Sequence, residues 1–141
     1  MLGLPQRSRC DACPPGVGQA LVEAALVFPV LLLIMLAVVD FGRAYYTGVA
    51  LMNAAREGAR VGVDVQTSDA TIRQRVKDAA LPVVVSDSQI TITPSPRGPA
   101  NSGQPIRVQV AVPVQLYTAF LAERLGFAAI TVRGDAQMVM D

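Results

Sequence analysis

The stretch GQALVEAALVFPVLLLIMLAVVDFG, Gly18–Gly42, decides the fold. Ala24–Val39 carries no charged residue. Adding Ala20–Glu23 extends the run to about the 20 helical residues that a bilayer core of roughly 30 Å requires. A helix of a water-soluble domain would show a polar face, and this run shows none. A single carboxylate, Glu23, stands just inside its start. Pro29 lies within it, where it removes one backbone hydrogen bond and predicts a kink or a loosened turn.

Working outward, Met1–Val17 is polar, with Pro5, Pro14 and Pro15 beside Arg7 and Arg9, and reads as a disordered leader. Downstream, Asp40 and Arg43 mark the exit from the apolar run, but helical spacing continues. Leu51, Ala55, Gly58, Ala59 and Gly62 recur at three- and four-residue steps, which predicts one helix to about Val61. Glu57 with Arg60 and Arg60 with Asp64 are spaced to pair along it. Ser68 or Asp69 can cap a second helix running to about Leu81, ended by Pro82, with Ile72, Val76, Ala79 and Ala80 inward and Arg73, Lys77 and Asp78 outward.

Then the period changes to two. Ile90 and Ile92 alternate with Thr91 and Thr93. Ile106, Val108, Val110 and Val112 alternate with Arg107, Gln109 and Ala111. Ile130–Met140 alternates in the same way. These are three strands, each with one buried face. The segment between the first two, Pro94–Pro105, is broken by Pro and Gly and is predicted to be exposed and mobile. Between the last two, Leu116, Tyr117, Phe120, Leu121 and Leu125 suit a short helix closed by Gly126. The expected fold class is α+β: a long N-terminal, partly transmembrane helix and a small head of one or two short helices with a three-stranded, mainly antiparallel sheet. The domains are a leader (1–18), the long helix (19–62, transmembrane over about 20–39) and the head (63–141). The head's roughly 80 residues are few for a self-sufficient core. The small residues Ala55, Gly58, Ala59 and Gly62 would let the sheet approach the helix closely. Gly58 and Gly62 lie well beyond the span, so they are read as packing under the head and not as a membrane dimer face.

Composition narrows the function. The chain has 141 residues, is 52% apolar, and carries a net charge of +1 with no His. No cationic surplus points to nucleic acid. Without His, a Ser–His–Asp constellation cannot be built. Lys77, the only lysine, sits on the polar side of an amphipathic helix and is read as solvated. Both cysteines, Cys10 and Cys13, lie in the leader, where a lone C-x-x-C has no second pair to complete a zinc site. No enzymatic activity, cofactor, metal or small-molecule substrate is expected.

The order of features around Gly18 resembles a prepilin cleavage site: a glycine before the cut, Gln19 after it, a glutamate at the fifth mature position, then the apolar run. The longer stretch through NAAREGAR resembles the TadE-like family of tight-adherence pilus proteins. Gln19 fits that group, whereas many type IV prepilins have Phe or Met there. The resemblance implies a minor pilin or pseudopilin, cut between Gly18 and Gln19 by a prepilin peptidase, with Glu23 in assembly. It implies other pilins and a membrane assembly platform as partners, and a role in surface attachment. It places the chain in the cytoplasmic (inner) membrane with the leader cytoplasmic and the head outside. Arg7 and Arg9 favour that orientation, Arg43, Arg56 and Arg60 oppose it, and the cytosolic-face processing decides it. Two other classes remain open: a single-pass anchored binding domain that is neither processed nor assembled, and a secreted protein with a cleaved signal peptide. The apolar run is longer than the 7–15 residues of a signal core.

Overall fold

The computed structural model describes residues 17–96, 98–119 and 130–141. Helix α1 spans Val17–Val61, with Pro29 inside it and helical backbone on either side. Helix α2 spans Asp69–Ala80, and the strands are β1 Ile90–Thr93, β2 Pro105–Val114 and β3 Ile130–Val139. The class is α+β with an open antiparallel sheet in the order β1-β2-β3. The chain divides into two units between Met35 and Leu36, so the second unit takes in the C-terminal part of α1 as well as the head. The leader through residue 16, with Cys10 and Cys13, lies outside the described residues. So does most of the short helix expected around Phe120, Leu121, Leu125 and Gly126.

Within the second unit, local chemistry sets each boundary. The Ser68 hydroxyl accepts from the Thr71 amide at 3.2 Å and caps α2, and the helix stops before Pro82. One apolar face of α2, Ile72, Val76 and Ala80, is buried. Its other face is less solvated than the periodicity predicts. Arg73 donates to the carbonyls of Asp87 and Ile90, both at 2.7 Å, and Lys77 pairs with Asp87 at 2.8 Å. Both cations therefore tie α2 to the approach into β1. Arg60 does not reach Asp64. It takes Glu57 in a two-pronged ion pair, while the Asp64 carboxylate accepts from the Gln66 amide at 2.8 Å and closes the turn after α1.

The core lies between the C-terminal half of α1, α2 and one sheet face. Leu51, Ile72, Val76, Ile106, Val108 and Val110 are fully buried. At about 1.5–3 kcal/mol for each fully buried Val, Leu or Ile, this contact outweighs the surface ion pairs around it. No aromatic side chain is buried among the described residues, so the fit comes from small residues. Gly134, opposite Val110 in the β2–β3 register, lies directly against the backbone of α1. A Cβ built there would meet the carbonyl of Leu51 and stand 2.7 Å from the Met52 nitrogen. Gly58 faces Val76, and Gly62 faces Ile106 and Ile72.

The Pro94–Pro105 segment is largely exposed, but it is tied at both ends. The Ser95 hydroxyl donates to Asp69 at 2.7 Å, and the Gly103 amide donates to the Met140 carbonyl at 2.9 Å. Met140 in turn donates to Gln104, and the Asp141 amide reaches the Val63 carbonyl at 3.0 Å, which closes the sheet onto the end of α1.

Gly134→Ala is expected to destabilise the head by about 1–3 kcal/mol, because helix backbone, unlike a side-chain tip, cannot move aside. Gly98→Ala has open space around it among the described residues and should be silent. Urea unfolding of the detergent-solubilised chain compares the two. On the solvent face of the sheet, a hydrogen-bonded ion pair with Arg107 holds the Asp135 carboxyl below its ordinary value of 3.8. The stability this pair contributes is full above that value and is lost as pH falls through the lower folded one. A Gln at position 107 should remove that part of the acid dependence in the same unfolding assay.

Candidate functional site

Gly18 opens the first turn of α1 and is exposed. Among the described residues a Cβ there would meet nothing within 4 Å, and its backbone is not left-handed, so neither packing nor conformation within them calls for glycine. Gln19 is also exposed. Its side-chain amide donates to the Glu23 carboxylate at 3.2 Å, one turn further along. The Gly18–Gln19 bond and Glu23 therefore sit within the first two turns of one helix, with Glu23 engaged only by its own helix neighbour among the described residues. The large apolar side chains that follow point into open space on every side of the helix, Leu26 at 70% exposure and Phe28 at 67%. An uncovered apolar surface of this extent needs a lipid or protein cover. This helix is long and apolar enough to cross a membrane.

The small residues at the other end of α1 do different work. Ala55, Gly58, Ala59 and Gly62 are all buried and come together under α2 and β2. They shape the seat of the head.

Sequence reasoning missed one cluster. Asp40 is only 4% exposed and is the one buried charged or polar side chain among the described residues. Its carboxylate accepts from the amides of Tyr117 and Thr118 and from the Thr118 hydroxyl, each at 2.8 Å. One turn on, the Arg43 guanidinium lies 4.6 Å from the centre of the Tyr117 ring. The three-residue spacing puts both side chains toward the segment after β2, which they grip by charge-assisted hydrogen bonds and a cation–π contact. In the sequence the two charges read as the membrane exit. The signal that they also bind was their spacing, but their partner lies far along the chain.

The Asp40–Arg43 cluster positions the segment after β2. Among the described residues no group of His, Cys, Asp and Glu is arranged to hold a metal ion. Against known families, residues 18–60 match the model of TadE-like protein. That segment, under a third of the chain, is similar to TadE-like protein and runs from the candidate cut into the last turn of α1. No curated protein and no solved structure matches the chain.

Asp40→Ala should strand the Tyr117 and Thr118 amides in a buried position, which is costly when no replacement acceptor is available. The expected result is faster hydrogen exchange at these two amides, with exchange at Val108 and Val110 unchanged. Asp40→Asn, which keeps one acceptor oxygen, should fall between.

Proposed function

We propose that this chain, TadE-like over residues 18–60 and carrying one candidate membrane helix near its N-terminus, is a minor pilin or pseudopilin of a tight-adherence pilus assembly system. It is a structural component and not an enzyme. A prepilin peptidase cuts it between Gly18 and Gln19. It then supports assembly of a fibre used in surface attachment, together with other pilins and a membrane platform. The leader lies in the cytoplasm, the span in the cytoplasmic membrane and the head outside.

The observation that carries this reading is the glycine that the fold does not need. Among the described residues Gly18 has open space around it and ordinary backbone, so the fold leaves this position free to serve something that binds the chain there. A peptidase that must bring the scissile backbone close to its own groups demands a glycine. The cut would leave a charged amine on Gln19. Glu23 stands four residues on, about 6 Å along the axis at 1.5 Å per residue. A carboxylate at a membrane centre costs about 2.5–3.5 kcal/mol on insertion scales, so one kept at the start of a span is best explained by a partner. In an assembly that partner is the amine of a neighbouring subunit, and their pairing sets the axial register. Asp40 completes the division of labour by holding the segment after β2 against α1 at the membrane exit.

Intact mass of the membrane-extracted chain tests the processing. A chain beginning at Gln19 is expected. Gly18→Leu should leave the fold unchanged and block the cut. A wild-type chain that keeps residues 1–18 beside an active peptidase would overturn the reading in favour of an anchored binding domain. Glu23→Ala should still be cut and still be in the membrane, but with fewer crosslinks to partner pilins and less fibre. Normal fibre yield from that variant would return Glu23 to the role of an interfacial carboxylate.

A further inference from the structure

The sheet runs back along α1 toward the apolar run. Ile106 faces Gly62, and Val108 faces Gly58. Val110 pairs with Gly134, which lies against Leu51, and Val112 pairs with Val132, which faces Gly48. Each step forward along β2 is thus a step backward along α1. The lengths agree: Ile106–Val114 at 3.4 Å per strand residue and Gly62–Ala44 at 1.5 Å per helix residue are both about 27 Å. The hydrogen bonds from the Tyr117 and Thr118 amides to Asp40 complete the descent. Tyr117, and Ile130 opposite Val114, are therefore brought to the level at which the apolar run ends. The head is not held off at the far tip of a stalk.

The chain has three tyrosines, and all three meet at this level. Tyr45 and Tyr46 stand about 8–9 Å past Asp40 along the axis, and side chains on a helix lean back toward its N-terminus. Their rings thus fall within the headgroup layer, which adds roughly 5–7 Å to each side of a bilayer core. Tyr117 joins them from 71 positions further on than Tyr46, carried there by the Asp40 clasp. The three are exposed by 67, 54 and 61%. A tyrosine has an apolar body and a polar tip, which suits it to a boundary between hydrocarbon and water. The charge at this level is cationic. Asp40 is buried and its carboxylate is satisfied by the head. Arg43 is exposed, with the Tyr117 ring 4.6 Å from its guanidinium carbon, and its N–H groups make no hydrogen bond among the described residues.

We propose that the end of the head carrying Tyr117 and Ile130 is a lipid-contact surface that rests in the headgroup layer, where Arg43 binds the phosphate of an anionic phospholipid. The proposal rests on the membrane-anchored reading above. It does not depend on which side of the membrane the head occupies, because the level is set by Asp40. The Tyr117 ring holds one face of the guanidinium and leaves its edge to donate, the planar fork that matches a phosphate. The ring itself is placed to insert among the lipid glycerol groups beside Tyr45. With the head fixed to the bilayer at α1 and at the β2 end, it cannot swing about the point where the span leaves the membrane.

Tryptophan fluorescence tests the contact, because the chain has no Trp of its own. The full chain is given Tyr117→Trp, Ile130→Trp or Val139→Trp and placed in vesicles of an equal mixture of phosphatidylcholine and phosphatidylglycerol. Ile130 and Val139 are exposed at opposite ends of β3. Brominated lipid should quench the Tyr117→Trp and Ile130→Trp chains and leave the Val139→Trp chain as bright as in unbrominated vesicles. Bromine carried on phosphatidylglycerol should quench Tyr117→Trp more than bromine on phosphatidylcholine. The local excess expected for one arginine at an anionic surface is roughly fivefold, equivalent to about 1 kcal/mol. Adding Arg43→Gln should remove that excess. No quenching at positions 117 and 130, or equal quenching at all three, overturns the proposal. So does a Tyr117→Trp emission shielded from both acrylamide and brominated lipid, which would put protein and not lipid on this surface. Equal quenching by the two lipids overturns the phosphate contact at Arg43. Failure of the membrane reading shows separately, as release of the chain by an alkaline wash without detergent, and it takes the proposal with it.

Discussion

The head depends on how close a β-strand comes to a helix. At Gly134 the sheet meets the backbone of α1 with no side chain between, and this contact sets the depth at which every neighbouring side chain sits. Leu51 then reaches into the core, and Val108 and Val110 fill the space toward Gly58 and α2. With no aromatic buried among the described residues, the core has little bulk with which to close gaps. It gains its contact by removing atoms at the interface, with Gly and Ala on the helix and Gly on the central part of β3. Dispersion falls off within an ångström of the optimum, so a small separation here would weaken many contacts at once.

Asp40 meets a different constraint. A carboxylate beside an apolar span is costly unless its charge is satisfied. Among the described residues no cation touches it directly; two backbone amides and a hydroxyl do. The residue that ends the apolar run is thus also the residue that holds the chain after β2. Arg43 supports it from the next turn through the Tyr117 ring. Glu23, at the other end of the run, has only the Gln19 amide within its own helix. The two carboxylates that bracket the span therefore differ in kind. One is used up inside the fold, and the other remains available to something outside it.

Taken together, α1 carries three kinds of surface along one length. Its start presents Gly18 and Glu23, whose chemistry the fold leaves unspent. Its middle is apolar all round. Its end buries one face under the head and leaves the opposite side open.

The sequence by itself determined the long helix, its apolar span, α2 and the three strands. Those follow from periods of 3.6 and 2, from the Ser68 cap and from the Pro82 stop, all of which act over a few residues. Gly18 and Glu23 are singled out by a spacing along the chain, and the tertiary contacts of the head do not bear on them. The tertiary structure alone decided the order β1-β2-β3, the Gly134–Leu51 contact and the Asp40 clasp on Tyr117 and Thr118. It also decided that Lys77 and Arg73 are tied to the approach into β1 and that the Pro94–Pro105 segment is anchored to Asp69 and Met140. Each of these joins residues far apart in the chain. A local pattern says that a residue faces inward or outward, but it does not say which distant backbone will arrive to meet it.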